Sequence, residues 1–150
     1  MSNDQDLIKL YSGQILALAA DIPLTERLDN PQATVKQRAP LCGSTVTVDV
    51  MMDQGRISGF GQDVKACALG QAAASVVADN IIGCSTAQIC KARDQLSAML
   101  REGGAIPDAP FEGLKVLEPA RGYKNRHASI MLSLEATVKA IGMVDKTACA

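Results

Sequence analysis

The sequence predicts an α+β fold: a single domain over residues 1–150, with a small three-stranded antiparallel sheet packed on one side by helices in the order α-β-β-β-α-α-α. Two observations carry this. The hydrophobic period is close to 3.6 from Leu7 to Leu18, is two between Thr45 and Met52, and returns to the helical value after Cys67. The chain is 47% hydrophobic yet has no Trp, two Tyr and two Phe. A length of 150 residues suits one domain, whose core Ala, Val, Leu, Ile and Met must fill.

Leu7, Tyr11, Ile15 and Leu18 stand at helical spacing and predict a first helix ending near Asp21-Ile22-Pro23. Thr25 to Pro40 is polar, punctuated by Pro31 and Pro40, and reads as an extended connecting loop. Val46, Val48, Val50 and Met52 alternate with Thr45, Thr47 and Asp49, which predicts a half-buried strand. Asp53-Gln54-Gly55 is turn chemistry, so Arg56 to Phe60 should return as the second strand of a hairpin, and Gln62 to Ala66 should form a third. Leu69, Ala73, Val77 and Ile81 form the ridge of a helix stopped at Gly83. Ser85 and Gln88 fit a capping box for the next helix, which carries Ile89, Leu96, Met99 and Leu100 and stops at Gly103-Gly104. Gly103 to Gly113 reads as an exposed loop, and Ile130, Leu134, Val138 and Ile141 mark the last helix.

Fifteen Lys and Arg against sixteen Asp and Glu leave a net charge of -1, spread along the chain, so a basic surface for nucleic acid is not expected. No apolar run approaches the roughly 18–20 residues of a membrane span. The polar, acidic start Met1-Ser2-Asn3-Asp4-Gln5-Asp6 resembles neither a secretory signal nor a transit peptide, so a cytoplasmic location is expected. The five cysteines are then expected to be thiols or metal ligands.

Two cysteines lie at junctions of the predicted elements. Cys42 precedes Gly43 just before the first strand, and Cys67 opens the helix after the third. Free N–H groups at a helix N-terminus favour a thiolate, the form that binds metal or accepts sulfur, although free Cys is also a common small core residue. Cys84 and Cys90 lie six residues apart, on different faces of any helix, and read as structural; Cys149 reads as frayed and non-functional. His127, the one histidine, leads the apolar series of the last helix and reads either as a hydrogen-bonded core residue or as a ligand. Asp49, Asp53 and Asp63 read as strand-face and turn residues. There is no C-x-x-C pair, H-E-x-x-H, P-loop or G-x-S-x-G.

Asn30-Pro31, Pro40-Leu41-Cys42-Gly43, the alternating valines, Gln54-Gly55-Arg56-Ile57 and a second Cys opening an Ala/Ser-rich helix together resemble the IscU, NifU N-terminal and SufU iron-sulfur scaffold family, from about residue 4 to 142. The long gap from Cys67 to His127 looks like the SufU-type branch. The resemblance implies a site made by Cys-Gly-Asp, a second Cys at the helix start, and a last Cys on the final helix, in one branch preceded by His. Cys42 and Cys67 match the first two cysteines. Ser44 stands where the Asp belongs. The last Cys is replaced by Ala128 when His127-Ala128-Ser129-Ile130 is aligned with the His-Cys-Ser-Ile form, or by Ser129 when the alignment runs through Tyr123 and Arg126. The helical stripe favours the first alignment. The ligand set that the resemblance implies is Cys42, Cys67 and His127, with Ser44 as a weak fourth. Leu117-Glu118-Pro119-Ala120-Arg121 lacks the Leu-Pro-Pro-Val-Lys segment that a dedicated chaperone reads in the IscU branch.

A [2Fe-2S] cluster takes four ligands. The resemblance therefore implies a scaffold or carrier, rather than an enzyme, that takes sulfur and iron, holds a transient [2Fe-2S] cluster or iron, and passes it on. A second subunit in a homodimer, or a small thiol, would complete the shell. The implied partners are a cysteine desulfurase and apo iron-sulfur recipient proteins, with neither nucleic acid nor membrane involved. The alternative is a zinc-binding sulfur acceptor with sulfurtransferase activity, since two thiolates and an imidazole suit tetrahedral zinc. A degenerate paralogue that keeps only the fold is the third reading.

Overall fold

The computed structural model describes residues 11–149. Leu7 of the first predicted stripe lies outside them. Helix α1 spans Gly13–Ala20 and starts where the Ser12 hydroxyl accepts the Ile15 N–H at 3.3 Å. Ile15 is fully buried, and the helix stops at Asp21 as its sequence predicts.

The sheet has the order β1-β2-β3, with β1 at Ala33–Arg38, β2 at Thr45–Asp53 and β3 at Arg56–Lys65, all antiparallel. Three strands are present, but one differs from the expectation. The segment predicted as a connecting loop contains β1, an edge strand whose inward positions are Ala33, Val35 and Gln37. One Val among small and polar residues gives too little contrast for a period of two to stand out. The expected third strand, Gln62 to Ala66, is instead the continuation of β3. Gly61 does not interrupt that strand; it makes room for the backbone of Glu26 and Arg27, which a Cβ would strike. Gln54 and Gly55 both have positive φ, 52° and 77°, as a two-residue type I′ hairpin turn requires.

Val46, Val48 and Val50 are fully buried on the helix-facing side of β2. Asp49, on the other face, is buried as well, because the segment around Arg27 and Leu28 folds over it. Arg27 Nε donates to its carboxylate at 2.6 Å, the Leu28 N–H at 3.0 Å and the Thr34 hydroxyl at 2.6 Å. The strand-face reading of Asp49 thus stands, with a structural anchor added.

Helices α2 (Ala68–Ile81) and α3 (Thr86–Glu102) follow. Ser85 and Gln88 form both bonds of the predicted capping box, and Gly103 closes α3 in the left-handed region at φ 69°. Residues 103–111 are irregular as expected; a run of 3-10 turns over Glu112–Gly122 then leads into α4, Lys124–Val144. Helix α4 packs on β1 and β2 on one side and on α2 and α3 on others, so it is buried nearly all round. The helices cover one face of the sheet, as the fold class requires. No helix among the described residues is long and apolar enough to cross a membrane.

Cys90 and Cys149 form a disulfide that ties the residues after α4 to α3. This corrects two expectations: that every cysteine is a thiol or a metal ligand, and that Cys149 is frayed. The pairing joins residues 59 positions apart, and sequence spacing carries no signal for it.

Candidate functional site

Three elements meet at one end of the sheet, and each brings a sulfur or oxygen donor. The β1–β2 connection is a tight loop, closed by Ala39 N–H to Ser44 C=O at 2.8 Å and Gly43 N–H to Ala39 C=O at 2.9 Å. Gly43 takes φ 73°, where a side chain would be strained. Cys42 is exposed at the tip of this loop, beside Leu41, which is 83% exposed, while Ser44 turns inward to 6% exposure. Cys67 is the N-cap residue of α2 and is half-buried. Ser129, in the second turn of α4, is 1% exposed.

These four side chains form one chain of contacts. Cys42 Sγ lies 3.2 Å from Ser44 Oγ, the Ser129 hydroxyl donates to Ser44 Oγ at 3.2 Å, and Ser129 Oγ lies 3.5 Å from Cys67 Sγ. The Cys42 thiol is held below its ordinary pKa, chiefly because the Ser44 hydroxyl bonds the thiolate, with the Ser44 backbone and the Ser129 hydroxyl adding to it. A depressed pKa on an exposed sulfur gives a nucleophile. Gly70 permits the arrangement: a Cβ there would lie 2.5 Å from Ser129 Oγ and 3.1 Å from the Ser129 carbonyl. Sequence reasoning missed Gly70, although a glycine inside a helix, where it costs about 1 kcal/mol against Ala, is itself a sign of close packing.

Of the sequence-predicted residues, the structure brings Cys42, Ser44 and Cys67 together and leaves His127 out. The His127 imidazole is buried with Nε2 at 3.0 Å from the carbonyls of both Ala120 and Arg121. No three His, Cys, Asp or Glu residues cluster as a metal site among the described residues, so the two-thiolate, one-imidazole zinc arrangement is not assembled. Ser129, the residue that the alignment through Tyr123 and Arg126 puts forward, touches Cys67 and Ser44 instead. The stripe argument favoured His127 because it assumed that one face of α4 is buried, whereas this helix is enclosed. Cys84 is buried, donates to the Asn80 carbonyl at 3.0 Å, and has its pKa raised by that burial, so its structural reading fits.

No protein-family model and no curated protein matches the chain. Among solved structures, the N-terminal part of a NifU-like nitrogen-fixing protein from Brucella abortus is 39% identical, over 95% of this chain and 99% of that one, with a TM-score of 0.92. The chain belongs to the IscU/NifU N-terminal/SufU-type scaffold family. An iron-sulfur cluster assembly scaffold protein for the SUF system from Fervidobacterium islandicum shares the fold at 18% identity and a TM-score of 0.81, over 89% of this chain and 98% of that one. A hypothetical protein does so at 22% identity and 0.73, over the same shares.

Proposed function

We propose that this protein is an iron-sulfur assembly scaffold whose working groups are Cys42 and Cys67, assisted by Ser44 and Ser129. The observation that carries the reading is the convergence of those four donors from the β1–β2 loop, the start of α2 and α4. Two thiols within one hydroxyl-linked group suit sulfur and iron as cargo. The exposed Cys42 thiolate attacks the outer sulfur of a persulfide on a cysteine desulfurase; the donor's S–S bond breaks, a new one forms on Cys42, and the donor cysteine leaves as a thiolate. Neutral hydroxyls are weaker ligands than a carboxylate and a thiolate, so two firm positions of the four are met within one subunit. A second subunit or a small thiol supplies the rest. Such a cluster is held loosely, as a carrier that hands it to apo recipient proteins requires.

Anaerobic reconstitution with iron, sulfide and a cysteine desulfurase, followed by metal analysis and visible absorption, tests this. A cluster spectrum in the wild type that is lost in both Cys42→Ala and Cys67→Ala, and kept in Cys84→Ala, is expected. Equal iron in Cys67→Ala and wild type would refute the site. No cluster and no persulfide on either thiol would leave a fold that has lost its activity.

A further inference from the structure

On the far side of the same stretch of α4 lies a pocket of about 650 Å³ that the thiol chemistry does not use. Its walls carry Arg101 from the last turn of α3, Arg121 from the end of the 3-10 segment and Lys124 from the first position of α4, over apolar Leu100 and Ala128. Three cations thus meet in a protein whose net charge is -1. Among the described residues, none of the three lies in an ion pair with a carboxylate. Like charges gathered without a counter-charge repel one another, and an anion in their midst relieves the cost.

Two further features prepare the pocket. The Arg121 guanidinium is laid against Gly103, where a Cβ would lie 2.5 Å from its Cζ, so the absence of a side chain at 103 leaves it room beside the pocket. His127, 5% exposed and also lining the pocket, has Nε2 between two carbonyl acceptors and must donate from it. Its Nδ1 has no protein partner among the described residues. The N-terminus of α4 opens beside them with no side-chain cap, and that end of the helix dipole adds partial positive charge.

From these features we infer that the pocket binds a small polyanion, phosphate- or polycarboxylate-bearing, held by Arg101, Arg121 and Lys124 with His127 at its wall. The volume falls within the range of small-molecule sites, about 300–1,000 Å³, the size of a compact ligand. Because Ala128 lines the pocket and Ser129 touches Ser44 and Cys67, occupancy is felt one residue from the thiol site.

The test is titration of the full chain with pyrophosphate, citrate and, separately, a hexaglutamate peptide, read by calorimetry and by the Hε1 resonance of His127, the one histidine in the sequence. Saturable binding of pyrophosphate or citrate that moves the His127 signal is expected, and whichever binds tighter names the ligand's chemistry. Arg101→Gln and Lys124→Gln, both at exposed positions, should each weaken it tenfold or more while circular dichroism stays unchanged. Binding that leaves the His127 resonance or the variants' affinity unmoved would place the anion elsewhere and overturn the inference. So would binding of hexaglutamate alone, or of none of the three at millimolar concentration.

Discussion

The Ser129 hydroxyl donates to Ser44 Oγ at 3.2 Å across 85 residues of sequence, and through this bond the last helix reaches the loop that carries Cys42. The bond joins the two hydroxyls of the proposed site. A carboxylate at 44 and a thiolate at 129 would sit in the same contact chain and offer iron two firmer ligands. Ser129→Cys together with Ser44→Asp should therefore raise the iron and sulfide retained after gel filtration of the reconstituted protein, several-fold over wild type. Ser129→Ala should lower it. Unchanged retention in the double variant would mean that these positions do not face the cargo.

Gly70 and Ser129 make a second prediction. A methyl group at position 70 meets Ser129 Oγ at 2.5 Å and the Ala66 Cβ at 2.9 Å, inside contact distance. Overpacking of this kind costs about 1–3 kcal/mol, more than the helix propensity that Ala restores. Gly70→Ala should lower the urea midpoint and the cluster yield together. A more stable Gly70→Ala protein would show that α2 and α4 separate without penalty.

The Ser44 hydroxyl is the leading cause of the lowered Cys42 pKa, and burial is the cause of the raised one at Cys84. Alkylation by iodoacetamide, followed site by site with mass spectrometry, should modify Cys42 first and at a pH below that of an ordinary thiol. Cys84 should resist while the protein is folded. Ser44→Ala should shift the Cys42 profile to higher pH; a profile that does not move would assign the activation to another group.

How far these features were legible in the sequence follows from what each one depends on. The capping box of Ser85 and Gln88, the stop at Gly103 and the valines of β2 depend on neighbours within a few residues, and all three stand in the structure. The junction positions of Cys42 and Cys67 depend on element boundaries, which the change of period marks. β1 was missed because an edge strand with one Val at its inward positions lacks contrast, and the break expected between Phe60 and Gln62 falls at Gly61, which accommodates a crossing loop. That Ser129 rather than His127 touches Ser44 and Cys67 depends on how many neighbours enclose α4, which no single-helix pattern contains. The Cys90–Cys149 bridge depends on where the chain returns after that helix.

That bridge yields its own prediction. Closing a loop of 59 residues restricts the unfolded chain, an effect of about 2–4 kcal/mol for typical disulfides. Reducing agent should lower the melting temperature of wild type, and Cys149→Ser should be equally low with or without it. Iron retention should be the same in Cys149→Ser as in wild type, since neither Cys90 nor Cys149 joins the contact chain at Cys42. A melting temperature indifferent to reductant would show that the bridge does not form in solution.

Asp49 links the fold to pH. Burial alone would raise its pKa, but bonds from Arg27, Thr34 and the Leu28 N–H more than offset this and leave it below the ordinary carboxylate value. In the unfolded chain the group titrates near 3.9. Between the two values the unfolded state binds more protons, so the stabilisation is complete above the unfolded value and is lost as pH falls through the folded one. Asp49→Asn removes the charge that meets Arg27 and should destabilise the protein by about 1–3 kcal/mol at pH 7. The gap between wild type and variant should then narrow steadily from pH 5 downward, read as the difference in urea midpoints so that other carboxylates cancel. A gap independent of pH would mean that Asp49 has the same pKa folded and unfolded, so that its bonds give the charged form no net advantage over the neutral acid.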